Sequence, residues 1–165
     1  AIMLSGETAA GKHPVLTVKT MSKIAEEAER NINYEEQFRT YKFKIQNASD
    51  AISHATCGMA IDIDAKAIAV CSISGITARM VSRFRPGVPI LGITTNEKTW
   101  RRLSLSWGVT PVICENYNST DVLFYNAAKL TKEILGLNNG DKIVMTGGVT
   151  NGKSGNTNLI KVEIL

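Results

Sequence analysis

The chain predicts an α/β fold: a three-layer α/β/α sheet of about five strands, mostly parallel, with the last strand antiparallel. Three observations carry this. Strand-length apolar runs alternate three times with segments of helical periodicity, the pattern of a parallel sheet covered by helices on both faces. Only a glycine-rich loop separates the last two predicted strands, too short for a crossover helix, so they should be antiparallel neighbours. Residues 158–164 alternate, with Ile160, Val162 and Ile164 on one side and Leu159, Lys161 and Glu163 on the other.

Each element follows from local chemistry. Residues 1–5 read as a strand, and 6–13 as a polar loop with two glycines. Pro14 opens a helix, as proline at a first helical position often does. Val15, Val18, Met21, Ala25, Ala28 and Ile32 share one face of it, and Lys23, Glu26, Glu27, Glu29 and Arg30 the other. It should end near Asn33. Residues 34–46 are polar and charged without a clear period, which suits a linker. The expected division is therefore 1–34, a linker over 35–47, and a domain over 48–165. Ser49 can cap a helix over 50–61. A buried strand, "KAIAVC", follows at 66–71, then a helix at 77–85 with Met80, Val81 and Phe84 apolar. "VPILGITT" at 88–95 is the next strand. Asn96 can cap a helix carrying Trp100, Leu103 and Trp107. "VTPVIC" at 109–114 is a strand in which Pro111 favours an edge or early position. A helix over 120–135 stops at Gly136, and 142–146 is the fourth strand.

Composition narrows the classes of function. With Lys plus Arg at 19 and Asp plus Glu at 15, the net charge of +4 is mild. No basic tract, zinc spacing or RNA-binding signature is present, so nucleic acid is not an expected partner. A chain of this length buries roughly 70% of its extended surface, enough for a core. Cys57, Cys71 and Cys114 are odd in number, and the last two sit in apolar runs. They read as free thiols of a reducing, cytoplasmic compartment, where the sequons at 47–49 and 118–120 carry no meaning. No apolar run has membrane-spanning length, no signal peptide is visible, and no membrane partner is expected. The opening "AIMLSGETA" looks like a strand already under way, which suggests a fragment.

Two stretches carry chemistry. After the 66–71 strand, Ser72, Ser74, Gly75 and Thr77 form a small-residue turn into a helix, with Arg79, Arg83 and Arg85 beyond it. A strand, turn and helix start aim several backbone N–H groups at one point, and the helix dipole adds partial positive charge. Such a turn can hold a phosphate; the alternative is an ordinary helix capped by Ser74 or Thr77. The second stretch, "GGVTNGKS" at 147–154, fits the nucleotide-loop pattern, with Lys153 for the phosphates and Ser154 for magnesium. That loop needs a helix after the lysine, and a strand-like segment follows instead. A glycine-rich lid carrying one lysine is the better reading, with a solvated hairpin loop as its competitor. His13 and His54 have no partner pattern, and Glu7 is a single carboxylate. Trp100 and Trp107, seven apart, suggest one packed helical face.

"IMLSGETAAGKHPVLTVKTMSKIAEEAE", "SISGITARMVSRFRPGVPILGITTNEKTWRRLSLSWGVTPV" and "SGNTNLIKV" together resemble the pyruvate kinase family, in wording closest to bacterial members. The family's fold is a TIM barrel, a small lid domain and an α/β C-terminal domain. The resemblance implies that this chain holds the last strand and helix of the barrel plus the C-terminal domain. Its Ser5 and Glu7 match the loop lining the barrel's active site. The catalytic lysine and the ligands of magnesium and potassium would lie on earlier barrel strands, leaving this chain with no catalytic residue, metal or cofactor of its own. Ser72, Ile73, Ser74, Gly75, Ile76 and Thr77 match a turn that grips a phosphate of an allosteric sugar phosphate. Gly152, Lys153, Ser154 and Gly155 match a loop that closes over it. Ile73 and Ile76 depart from the polar or basic residues of several members. A monophosphate such as ribose 5-phosphate, AMP or glucose 6-phosphate is thus as plausible as fructose 1,6-bisphosphate. Self-association, as a homotetramer in the full-length glycolytic enzyme, is also implied. A free-standing phosphate-binding module and a small NTPase using the 147–154 loop are the alternatives.

Overall fold

The structure is a computed structural model describing residues 2–148 and 157–165. It divides into two compact units, Ala1–Asn33 and Tyr34–Leu165.

In the first unit, α1 (Gly6–Ala9) is a single turn and α2 (Pro14–Arg30) a long helix with Pro14 in its first turn. No residue of α2 is buried, and Val15, Leu16 and Ile24 are each more than 60% exposed. The expected strand over residues 1–5 is not seen: residues 2–5 carry no regular structure. A strand is stable only when its N–H and C=O groups are paired, and the described residues of this unit form no second strand.

The second unit is built on α3 (Tyr34–Thr40), α4 (Ala48–Asp62), β1 (Ala67–Cys71), α5 (Ile76–Arg83), β2 (Ile90–Thr94), α6 (Glu97–Leu103), β3 (Val109–Ile113), α7 (Thr120–Leu135), β4 (Lys142–Gly148) and β5 (Thr157–Ile164). The sheet order is β3-β2-β1-β4-β5. The first three pairings are parallel, and β4 with β5 is antiparallel, as expected. Every residue of β1 and β2 is buried. Their side chains alternate between two cores, as the period of a strand requires. Ile68, Val70 and Ile90 pack with α4 and α5 residues such as Cys57, Ala60 and Val81. Ala67, Ala69 and Leu91 pack with Phe124 and Ala127 of α7. This is the three-layer arrangement read from the sequence. Pro111 lies on edge strand β3, where a missing N–H costs no ladder bond on the open side.

Several local details differ from expectation. Residues 34–46 are not an aperiodic linker: α3 forms there, and Phe38 is buried in the core. One buried side chain on a seven-residue helix leaves no legible period. The cap of α4 is Asn47 rather than Ser49, its side chain accepting the Asp50 N–H at 2.9 Å. Helix α6 ends at Leu103, so Trp107 lies beyond it and shares no helical face with Trp100.

Candidate functional site

Strand β1 ends where the Ser72 N–H donates to the Ile93 carbonyl at 2.9 Å. The chain then reverses into α5. The Ser72 hydroxyl accepts from the Gly75 N–H at 3.1 Å, closing the turn from within. Gly75 is the residue before the helix, at φ 73°. A Cβ there would lie 2.8 Å from Thr99 Cγ2 and 3.2 Å from a Leu103 methyl. Both the left-handed backbone and the approach of α6 therefore demand glycine. The cap is Gly75, not Ser74 or Thr77, and no side chain caps α5. The helix start keeps its backbone N–H groups for another acceptor.

The turn is braced on two sides. Thr94 at the end of β2 donates its hydroxyl to the Ile73 carbonyl at 3.2 Å, and the same oxygen accepts from the Asn96 N–H. Thr77 and Thr157 share a buried hydroxyl–hydroxyl bond of 2.5 Å. Thr157 is the first residue of β5 and pairs with Gly148, the last of β4. The chain thus leaves β4 and re-enters β5 beside this turn. Ser74 is exposed, as are Ile73 at 47% and Ile76 at 44%. What faces solvent is a rim of one hydroxyl, two apolar side chains and the start of a helix.

Of the three arginines that follow, Arg79 is exposed on the second turn of α5. Arg83 and Arg85 belong to the other end of the helix. Arg83 lies 3.9 Å from Asp50 and over the Phe84 ring, and Arg85 lies over Trp107 at 4.4 Å. Gly152, Lys153, Ser154 and Gly155 are outside the described residues, so the loop match rests on its flanks. Gly147 is part of β4, and the described chain resumes in β5 rather than in a helix. The helix that a nucleotide loop requires after its lysine is therefore not in the described chain, which counts against the NTPase alternative.

The other sequence candidates carry little chemistry. The Ser5 carbonyl accepts from the Thr8 and Ala9 N–H groups, and Glu7 is exposed in the first turn of α1. His13 precedes α2 without a side-chain cap. His54 stacks on Phe38 at 4.7 Å and meets Phe84 edge-on at 5.2 Å, an aromatic packing role. The Trp100 indole N–H donates to the Pro111 carbonyl at 3.0 Å, tying α6 to β3. Cys71, just below the turn, is buried, and burial with the nearby Cys114 pushes its thiol up to about 12. A neutral thiol at physiological pH is no nucleophile. Among the described residues no three His, Cys, Asp or Glu side chains group as metal ligands, and no helix is long and apolar enough to cross a membrane.

Sequence reading missed a cavity of about 740 Å³ at the far end of α5, lined by residues of α3, of the segment after it, and by Arg83 to Arg85. The aromatic and basic residues Tyr41, Phe43 and Lys44, close together in the sequence, are its signal.

Residues 50–163 match the family described as pyruvate kinase, alpha/beta domain. The whole chain is 43% identical to a pyruvate kinase of Clostridium acetobutylicum, 40% to one of Staphylococcus epidermidis and 38% to one of Sporosarcina psychrophila. It spans 35%, 28% and 28% of their lengths.

Proposed function

The chain belongs to the pyruvate kinase family, and we propose that it is the regulatory C-terminal part of such an enzyme. The longer protein would pass phosphoryl from phosphoenolpyruvate to ADP, giving pyruvate and ATP. Residues 1–34 would complete the catalytic barrel, with Ser5 and Glu7 beside its active site. Magnesium and potassium, implied for that enzyme, find no fitting ligand group among the described residues, so no step runs through them.

The part played by Tyr34–Leu165 is to hold the phosphate of an effector on the turn from Ser72 to Thr77. The observation that carries this is the uncapped start of α5 behind Gly75. Its N–H groups and dipole supply about half a positive charge to an anion placed over Ser74 and Ile76. The turn needs no rearrangement to receive it, being braced by the Thr94 and Thr77 hydroxyls. Exposed Ile73 and Ile76 flank the seat without adding charge, and Arg83 and Arg85 are engaged elsewhere. This supports a single phosphate: ribose 5-phosphate, AMP or glucose 6-phosphate ahead of fructose 1,6-bisphosphate. On sequence grounds Lys153 is the cation that would meet it, with Gly152, Ser154 and Gly155. Self-association has support in β5, an outer strand of the sheet with Val162 and Ile164 exposed.

Calorimetric titration of the chain with these phosphates in EDTA tests the reading. Binding should need no magnesium, and Ser74→Asp should weaken it by about tenfold through like-charge repulsion at an exposed position. Thr77 is a poor probe because its hydroxyl is already buried against Thr157. Unchanged affinity in Ser74→Asp, or binding only with magnesium, would contradict the seat.

A further inference from the structure

The cavity at the C-terminal end of α5 is built unlike the turn. Lys44, Arg83 and Arg85 line it, no Asp or Glu does, and Phe38, Tyr41, Phe43 and Phe84 supply its rings. Its volume, about 740 Å³, lies in the range of small-molecule sites. Two of the three cations, Arg83 and Arg85, have partners that hold them. Asp50 is 2% exposed, and its carboxylate accepts the Gln46 N–H at 3.1 Å while standing 3.9 Å from Arg83. A buried carboxylate is costly unless compensated, so it anchors the guanidinium at the cavity edge. Arg85 sits at φ 52°, a left-handed backbone that a non-glycine residue adopts at a cost. That conformation accompanies its placement over Trp107, 4.4 Å from the ring centroid. Lys44 is exposed and has no ion-pair partner among the described residues. Phe43 meets Phe84 edge-on at 4.8 Å and lies tilted against Tyr41 at 4.7 Å, forming an aromatic wall beside these charges.

We propose that this cavity is a second anion site, separate from the turn, which takes a planar aromatic ring bearing a phosphate. Three cations set against the single carboxylate of Asp50 leave an excess of two positive charges, which matches a dianion better than a carboxylate. The rings offer stacking and edge contacts to a flat group. Helix α5 spans about 12 Å at its ordinary rise, so one small ligand cannot occupy both ends.

Phenyl phosphate is the probe, titrated calorimetrically into the 165-residue chain beside inorganic phosphate. Phenyl phosphate should bind about tenfold more tightly than inorganic phosphate, the difference made by the rings. Lys44→Glu, a change at an exposed position, should weaken it by about tenfold, and Ser74→Asp by less than about twofold. Tyr41→Ala should shrink the preference over inorganic phosphate. Thermal melts of both cavity variants should match the parent. Three outcomes would each overturn the site: equal affinity for the two phosphates, loss in Ser74→Asp instead of Lys44→Glu, and no saturation at about 10 mM. Ribose 5-phosphate, titrated in parallel, reads the turn alone, so one site can fail while the other stands.

Discussion

The two ends of α5 carry the two proposed anion sites, and the two are built differently. At the N-terminal end the cation nearest in sequence is Arg79, exposed on α5. The proposed seat there is made of backbone N–H groups, hydroxyls and a dipole, positioned by Gly75 at φ 73° and by bonds from Thr94 and Thr157. At the C-terminal end charge comes from side chains: Arg83 beside Asp50, Arg85 over Trp107, and exposed Lys44. The two ends are therefore vulnerable to different changes. A backbone site is lost when the chain path changes, whereas a side-chain site is lost one charge at a time.

The largest effect should come from disturbing the path at the first end. Gly75→Val would force a β-branched residue into a left-handed conformation and place its Cβ 2.8 Å from Thr99. The expected cost is about 3 kcal/mol, from backbone strain plus overpacking. Urea unfolding should record it, and ribose 5-phosphate binding should vanish while phenyl phosphate binding persists. A loss below about 1 kcal/mol would mean that the turn is softer than its bracing implies. Next in size is a change that makes the first end resemble the second. Ile76→Arg adds a cation at a position 44% exposed. It should raise affinity for fructose 1,6-bisphosphate by about tenfold and for ribose 5-phosphate by less, because only the former has a second phosphate to meet it. Equal gains would show that the added charge acts at long range. Salt should give the smallest effect. Raising ionic strength shortens the Debye length to about 8 Å at 0.15 M. Titrations at low and high salt should weaken phenyl phosphate several-fold and ribose 5-phosphate by less. The reverse order would erase the contrast between the ends.

How much of this is legible in the sequence depends on how far each residue's partners lie along the chain. The strands are legible because burial on both faces leaves unbroken apolar runs such as "AIAVC". The stop of α7 is legible in Gly136, which takes the left-handed position at φ 64°. So is Asn96, whose side chain accepts the Thr99 N–H three residues on. The turn proposed to seat a phosphate is half legible. Its glycine and hydroxyls stand together in the sequence, but the roles of Gly75 and Thr77 are set by Thr99, Leu103 and Thr157. Helix α3 is hidden because one residue, Phe38, carries its burial. The cavity is hidden because its lining comes from distant segments: residues near 44 and near 85 meet only once α4 and α5 have packed.

Everything proposed for the first end depends on the turn from Ser72 to Thr77 seating a phosphate through the start of α5. A two-dimensional amide NMR titration of the chain with ribose 5-phosphate in EDTA reads that seat residue by residue. The backbone N–H signals of Ser74, Gly75, Ile76 and Thr77 should move most and saturate together, while those of Lys44 and Arg85 stay in place. Saturating shifts centred on Lys44 and Arg85, or a turn that stays silent until magnesium is added, would contradict it.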